Sequence, residues 1–234
     1  MIGVFDSGEG GRSTLGYLRG LYPRENIVLL VDRKNSPYGK RSEEELQSIT
    51  VENIKILASF GADVILIGCC TASGVWDRMN IRPPDIGVAS IISPTLRRAR
   101  ELTKGKIAVI ATEATVRAKS FGEDILYFAT QELVSLIDSG INDASITQPT
   151  PAKIEKLLSP LADSGAELLI LGCTHFGRLK GTIGKIALGY GIGTVIDSAE
   201  VGALSLMSRH APRQESGMTY YLTTKNSYEK ESLH

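Results

Sequence analysis

Three residues have the types and places to exchange protons together: Cys69, Cys173 and His175. Cys69 ends the run GADVILIGC (Gly61–Cys69), and Cys173 ends GAELLILGC (Gly165–Cys173). Gly, Ala, an acid, four aliphatics, Gly and Cys recur at an offset of 104 residues. A fainter echo pairs IGVFDS (Ile2–Ser7) with IAVIAT (Ile107–Thr112) at an offset of 105. Two thiols at equivalent strand ends of a duplicated unit suit one reaction class. Racemisation takes a proton from one face of an α-carbon and returns one to the other. A fixed base reaches one face only, so two groups are needed, one protonated and one not. A thiol has a reference pKa of about 8.5, and a helix N-terminus can lower it toward neutrality. Asp6 and His175 are placed to assist: Asp6 is expected to serve Cys69, and His175 to serve Cys173.

Five polar clusters follow strand-like runs, where ligands sit in open α/β sheets. They are Asp6-Ser7-Gly8, Pro37-Tyr38-Gly39, Cys69-Cys70-Thr71, Thr112–Thr115 and Cys173-Thr174-His175. Each has a plainer reading on its own. A lone Cys at a strand end is usually a small core hydrophobe. DSGEGG could be a Gly-rich turn capped by Asp6 or Ser7; it lacks the Lys-Ser/Thr of a P-loop. In SPYGKRSEEE, Ser42 and Glu45 form a capping box, which leaves Tyr38 unexplained. His210 and His234 read as solvated. The set Cys69, Cys70, Cys173 and His175 also matches a Cys₃His zinc site in type. Adjacent cysteines replace the usual gap of roughly two to four residues, which favours a site without metal.

The elements that must position these groups alternate between short aliphatic runs and helical patterns. Strands are expected at Ile2–Phe5, Ile27–Val31, Val64–Ile67, Ile86–Val88, Ile107–Ile110, Ile125–Phe128, Leu168–Leu171 and Thr194–Ile196, with an edge strand at Met218–Thr223. Helices are expected at Glu43–Phe60, Pro94–Thr103, Ala152–Ser164 and Ala199–Arg209. Uniformly aliphatic strands separated by helices predict an α/β fold with mainly parallel sheets covered on both faces. The repeat divides the chain into two pseudo-symmetric doubly wound domains with the site in the cleft between them. The first would take residues 1–92 and 199–225, the second 93–198, leaving 226–234 as a polar tail.

With 42% apolar residues and 22% charged, the composition is that of a globular protein with a real core. Lys plus Arg balance Asp plus Glu at 26 each, which gives no electrostatic reason to expect nucleic acid or an anionic membrane. No apolar run approaches the roughly 20 residues of a membrane helix. Three cysteines, two adjacent, make a poor disulfide framework and fit a reducing compartment, so a cytoplasmic protein is expected.

Taken together, IGVFDSGEGG, SPYGKRS, CCTAS, VIATEATV and LGCTHF resemble the motifs of the glutamate racemases, in order and at similar spacing. The resemblance runs to about Ala199, and YYLTTKNSYEK is similar to a degraded C-terminal strand of that family. It implies two pseudo-symmetric α/β domains, no cofactor, and a Cys pair acting on opposite faces of glutamate to supply D-glutamate for the cell wall. Carried over, Cys69, Cys173 and His175 match catalytic positions. Asp6, Ser7, Pro37, Tyr38, Gly39, Thr71, Thr115 and Thr174 match positions that touch the substrate or support it. Cys70 stands where the family has Asn, Glu9 where it usually has an aliphatic residue, and Gly177-Arg178 where it has Pro-Leu. Family members are often dimers, so a homodimer is an open expectation without an interface signal in the sequence. A related racemase or decarboxylase acting on aspartate or another small carboxylate, and a weakly catalytic binding member of the family, are the competing readings.

Overall fold

The computed structural model describes residues 1–80, 86–142, 149–208, 210, 217–224 and 228–233. Two sheets carry the fold. The first holds β1 (Ile2–Asp6), β2 (Ile27–Val31), β3 (Val64–Ile67) and β4 (Gly87–Ser90) in the order β2-β1-β3-β4. The second holds β5 (Ile107–Ala111), β6 (Leu126–Ala129), β7 (Leu168–Gly172) and β8 (Thr194–Asp197) in the order β6-β5-β7-β8. All pairs within these two sets are parallel. The register repeats as well as the order: Ile2 lies opposite Val64 in one sheet, and Ile107 opposite Leu168 in the other. The sequence offset of the two GA-acid runs is thus an offset between equivalent strands.

The first sheet is extended beyond β2. β9 (Thr219–Thr224) pairs parallel with β2, and β10 (Tyr228–Leu233) pairs antiparallel with β9. This corrects two expectations. The strand read as an edge at Met218–Thr223 lies one place inside it, and the stretch read as a tail supplies the edge. The physical reason is the open row of backbone groups on β9, which a following extended segment can pair with.

Helices fill three layers. They are α1 (Gly11–Leu21), α2 (Glu43–Ser59), α3 (Cys70–Arg78), α4 (Ile92–Leu102), α5 (Glu113–Arg117), α6 (Gln131–Asn142), α7 (Pro151–Leu158), α8 (Lys180–Gly189) and α9 (Ser198–Ser205). One core packs α2 and α3 on the outer face of the first sheet, through Ile49, Ile54, Leu57 and Trp76. Another packs α6, α7 and α8 on the outer face of the second, through Leu133, Ile137, Ile154 and Ile183. A third joins the two sheets: Val4 and Leu29 share it with Val109 and Ile170, and Leu15, Ile92, Ala99 and Ala203 of α1, α4 and α9 lie in it. Each fully buried aliphatic side chain contributes about 1.5–3 kcal/mol. α9 can approach α4 because residue 202 is glycine: a Cβ there would stand 2.2 Å from Ile91 Cγ2. The capping box of α2 is formed, with Glu45 N donating to Ser42 Oγ and Ser42 N to the Glu45 carboxylate. The helix expected at Ala152–Ser164 ends earlier, at Leu158, and a 3₁₀ turn, Ser159–Leu161, with Pro160 inside it, takes over. His210 is not solvated; its Nε2 lies 3.0 Å from Glu25 and its ring against Tyr22. His234 lies outside the described residues. Among the described residues, no helix is long and apolar enough to cross a membrane.

Candidate active site

Cys69 follows β3 and is the N-cap of α3, in extended conformation. Cys173 follows β7 and leads into a 3₁₀ turn, Thr174–Leu179, rather than directly into an α-helix. The repeat therefore delivers both sulfurs to the carboxyl ends of equivalent strands. They line one cavity of about 110 Å³, on the order of ten water-sized groups. Asp6, Ser7, Pro37, Tyr38, Gly39, Cys70, Thr71, Thr174 and His175 stand on its wall, as the sequence pattern predicts. Thr115 does not. It lies behind the wall, 1% exposed, with Oγ1 3.2 Å from Thr71 and 3.0 Å from Thr112, so its contact with any ligand runs through those hydroxyls.

On one side, Cys173 Sγ lies 3.5 Å from His175 Nδ1. The other ring nitrogen, Nε2, lies 3.4 Å from Asp138 Oδ1, at ion-pair distance. Burial alone would lower His175. The electrostatic pull and hydrogen bond of the Cys173 sulfur, the hydrogen bond to Asp138 and the nearby Asp6 outweigh it and hold the imidazole well above its ordinary value. On the other side, Cys69 Sγ is 3.5 Å from Ser7 Oγ. Burial, reinforced by the Asp6 charge, pushes Cys69 up to about 12, against the hydrogen bonds of Ser7 and the Ala72 N–H. The expected lowering by the helix N-terminus is thus overridden: one N–H does not offset the loss of water around a thiol 6% exposed. Burial likewise drives Cys70 well above the ordinary thiol range.

Asp6 does not bond Cys69 directly. Its carboxylate accepts from Thr174 Oγ1 at 2.8 Å and from Gly8 N at 3.0 Å, and reaches Cys69 only through Ser7. Burial raises it above the usual carboxylate range, while His175 and these bonds pull it back. The Asp6–Thr174 bond crosses between the two halves. Gly10 makes that crossing tight: a Cβ there would stand 2.3 Å from Thr174 Oγ1 and 2.7 Å from His175 Nδ1. Tyr38 turns its hydroxyl away, donating to Asp32 Oδ2 at 2.7 Å and accepting from Asn53 at 2.9 Å. Asp32, fully buried at the end of β2, also accepts from Asn35 and Thr224. Asn53 donates to Asp32 as well, at 3.1 Å; burial would raise Asp32, but Thr224, Asn35, Tyr38 and Asn53 together hold it below the ordinary carboxylate value.

The sequence reading missed Asp32, Asp138 and Gln131. The last two stand on one face of α6, and their signal was the apolar spacing of Leu133, Val134 and Ile137, which marks an amphipathic helix. Glu9, the departure from the family pattern, is 3% exposed. It is bonded by Arg12 at 2.6 Å, by Tyr221 at 2.9 Å, and by Arg33. Among the described residues, no group of three or more His, Cys, Asp or Glu is arranged to hold a metal ion.

The family model for Asp/Glu/Hydantoin racemase matches residues 17–206. A glutamate racemase from Persephonella marina is 33% identical over 99% of this chain and 91% of its own length. Among solved structures, a glutamate racemase isoform from Bacillus anthracis superposes with a TM-score of 0.80 at 29% identity, covering 96% of this chain and 88% of that one. A glutamate racemase from Francisella tularensis, in complex with D-glutamate, gives a TM-score of 0.75 at 26% identity, over 94% and 87% of the two chains. The folds agree in carrying two parallel-sheet halves. The chain belongs to the Asp/Glu/Hydantoin racemase family, among the glutamate racemases.

Proposed function

We propose that the protein interconverts L- and D-glutamate by taking the α-proton with one thiol and returning a proton to the opposite face of the α-carbon from the other. The observation that carries this is the pair Cys69 and Cys173, placed by a structural repeat on one small cavity. The family membership and the D-glutamate complex of the Francisella relative support glutamate as substrate. In each direction a thiolate takes the Cα proton, breaking the C–H bond. The electron pair delocalises into the α-carboxylate. The opposite thiol then gives its S–H proton to the other face, so no oxidant or reductant is involved. Cys69 rests as a thiol and is the ready acid. In the reverse direction the substrate's α-ammonium supplies the charge that favours its ionisation. On the far side the proton is shared with His175, which Asp138 and Asp6 keep protonated. Asp6 and Thr174 position that pair, and Ser7 orients the Cys69 thiol. The D-glutamate formed would enter cell-wall precursor synthesis, and the residues required belong to a single chain with no cofactor.

The test is a coupled racemisation assay over an amino-acid panel, with Cys69→Ala and Cys173→Ala beside the wild type. Wild-type turnover is expected to be fastest on glutamate, and each variant to lose at least about 10²-fold. A wild type that prefers aspartate overturns the substrate. Wild-type rates in either variant overturn the two-thiol scheme.

A further inference from the structure

The cavity has a charge problem that its known parts do not solve. Its charged lining residues, among those described, are Asp6, Asp138 and His175; it has no Arg or Lys. Glutamate brings two carboxylates. Two protein carboxylates already occupy the acid/base end, so the distal carboxylate of the substrate must lie away from them and be held by neutral donors. Cys70, standing where the family pattern has Asn, offers only a weak thiol donor.

One lining side chain has the chemistry to fill that need. Gln131 carries the single side-chain amide on the described wall, with two N–H donors. Among the described residues no hydrogen bond engages its carboxamide. It stands at the first turn of α6, seven residues before Asp138, which is about 10 Å along the helix at 1.5 Å per residue. Asp138 faces His175, so α6 spans the cavity from the acid/base end to an opposite end marked by Gln131. At that end Gln131 approaches the other half of the molecule. A Cβ on Gly39 would lie 3.7 Å from Gln131 Oε1, so the carboxamide and the Pro37–Gly39 turn close over the same space.

We propose that Gln131 is a specificity-determining residue whose carboxamide donates to the distal carboxylate of the substrate. It selects a dicarboxylic amino acid long enough to reach from the thiols to α6. The proposal rests on the glutamate reading above and adds the residue that reads substrate length.

The experiment compares wild type, Q131L and Q131E by steady-state racemisation of glutamate, with thermal melting in the presence and absence of glutamate. Leucine keeps the bulk without donors; glutamate at this position sets a carboxylate against the ligand's own. Because a lost bond to a charged group costs about ten- to a hundredfold, KM for Q131L is expected to rise by that factor, with kcat within about threefold. Q131E is expected to be worse than Q131L. The rise in melting temperature that glutamate gives the wild type is expected to vanish in both. Variants with wild-type KM and wild-type melting shifts overturn the assignment, as does a loss confined to kcat. A wild type without glutamate turnover overturns the preceding substrate reading instead, so the two failures are distinguishable.

Discussion

At the scale of single residues, the two active thiols are not equivalent. Cys173 has an imidazole at 3.5 Å, whereas Cys69 has only a hydroxyl and one helix N–H beside it, with the Asp6 carboxylate near enough to oppose ionisation. Thiolate, not thiol, reacts with alkylating agents. With Cys69 pushed up to about 12, its thiolate fraction rises tenfold per pH unit across the whole accessible alkaline range. Alkylation of Cys69 by iodoacetamide, followed by peptide mapping between pH 7 and 10, is therefore expected to accelerate about tenfold per unit without levelling. A plateau near the ordinary thiol value of about 8.5 would contradict this. The types at positions 69, 173 and 175 were readable as acid/base groups from sequence. Their ionisation was not, because it depends on how much water the folded cavity excludes. The partner of Asp6 was not readable either: Thr174 is 168 residues away and meets it only when the two sheets close.

At the scale of elements, strands were legible and several helices were not. Aliphatic runs such as IVLLV and LLILG have one reading when every residue is buried. α1 and α8 contain internal glycines that weaken helix propensity, and α3 is short and starts on Cys-Thr; their helical state comes from packing rather than from local preference. Because α6 was not foreseen, neither were Asp138 and Gln131. Glu9 shows the same dependence. Its partners come from α1, from the end of β2 and from β9, and β9 pairs with β2 only through a long-range contact. Burial would raise the Glu9 carboxyl, but Arg12, Arg33 and Tyr221 together hold it below its ordinary value. Glu9→Leu restores the aliphatic type usual in the family yet leaves both guanidiniums without their anion. Removing one partner of such a set destabilises. Both arginines are about a third exposed, at 37% and 36%, so water recovers part of the loss. The expected cost is about 1–2 kcal/mol in chemical denaturation. Unchanged or higher stability in Glu9→Leu would show that the network contributes nothing.

At the scale of the whole molecule, the sheet orders β2-β1-β3-β4 and β6-β5-β7-β8 are the same arrangement built twice. The sequence carried this as a constant offset, since the duplicated strands keep their apolar length and terminal Cys. It carried the asymmetry only in part: the added strand β9 was expected on the first half, but β10 beyond it was not, and among the described residues the other sheet ends at β6 and β8. Duplication puts one thiol at each equivalent strand end, and the shared core through α1, α4 and α9 turns those ends toward one cavity. The central claim is that these two thiols, rather than one, handle the α-proton. Initial-rate racemisation of glutamate in D₂O tests it most directly, with NMR or mass analysis of the remaining substrate and of the product. If opposite thiols act, the proton removed stays on one sulfur while solvent deuterium arrives from the other. Product is then expected to carry one deuterium at Cα from the first turnovers, and early substrate to retain its proton. Product that keeps the substrate's own α-proton would contradict the account.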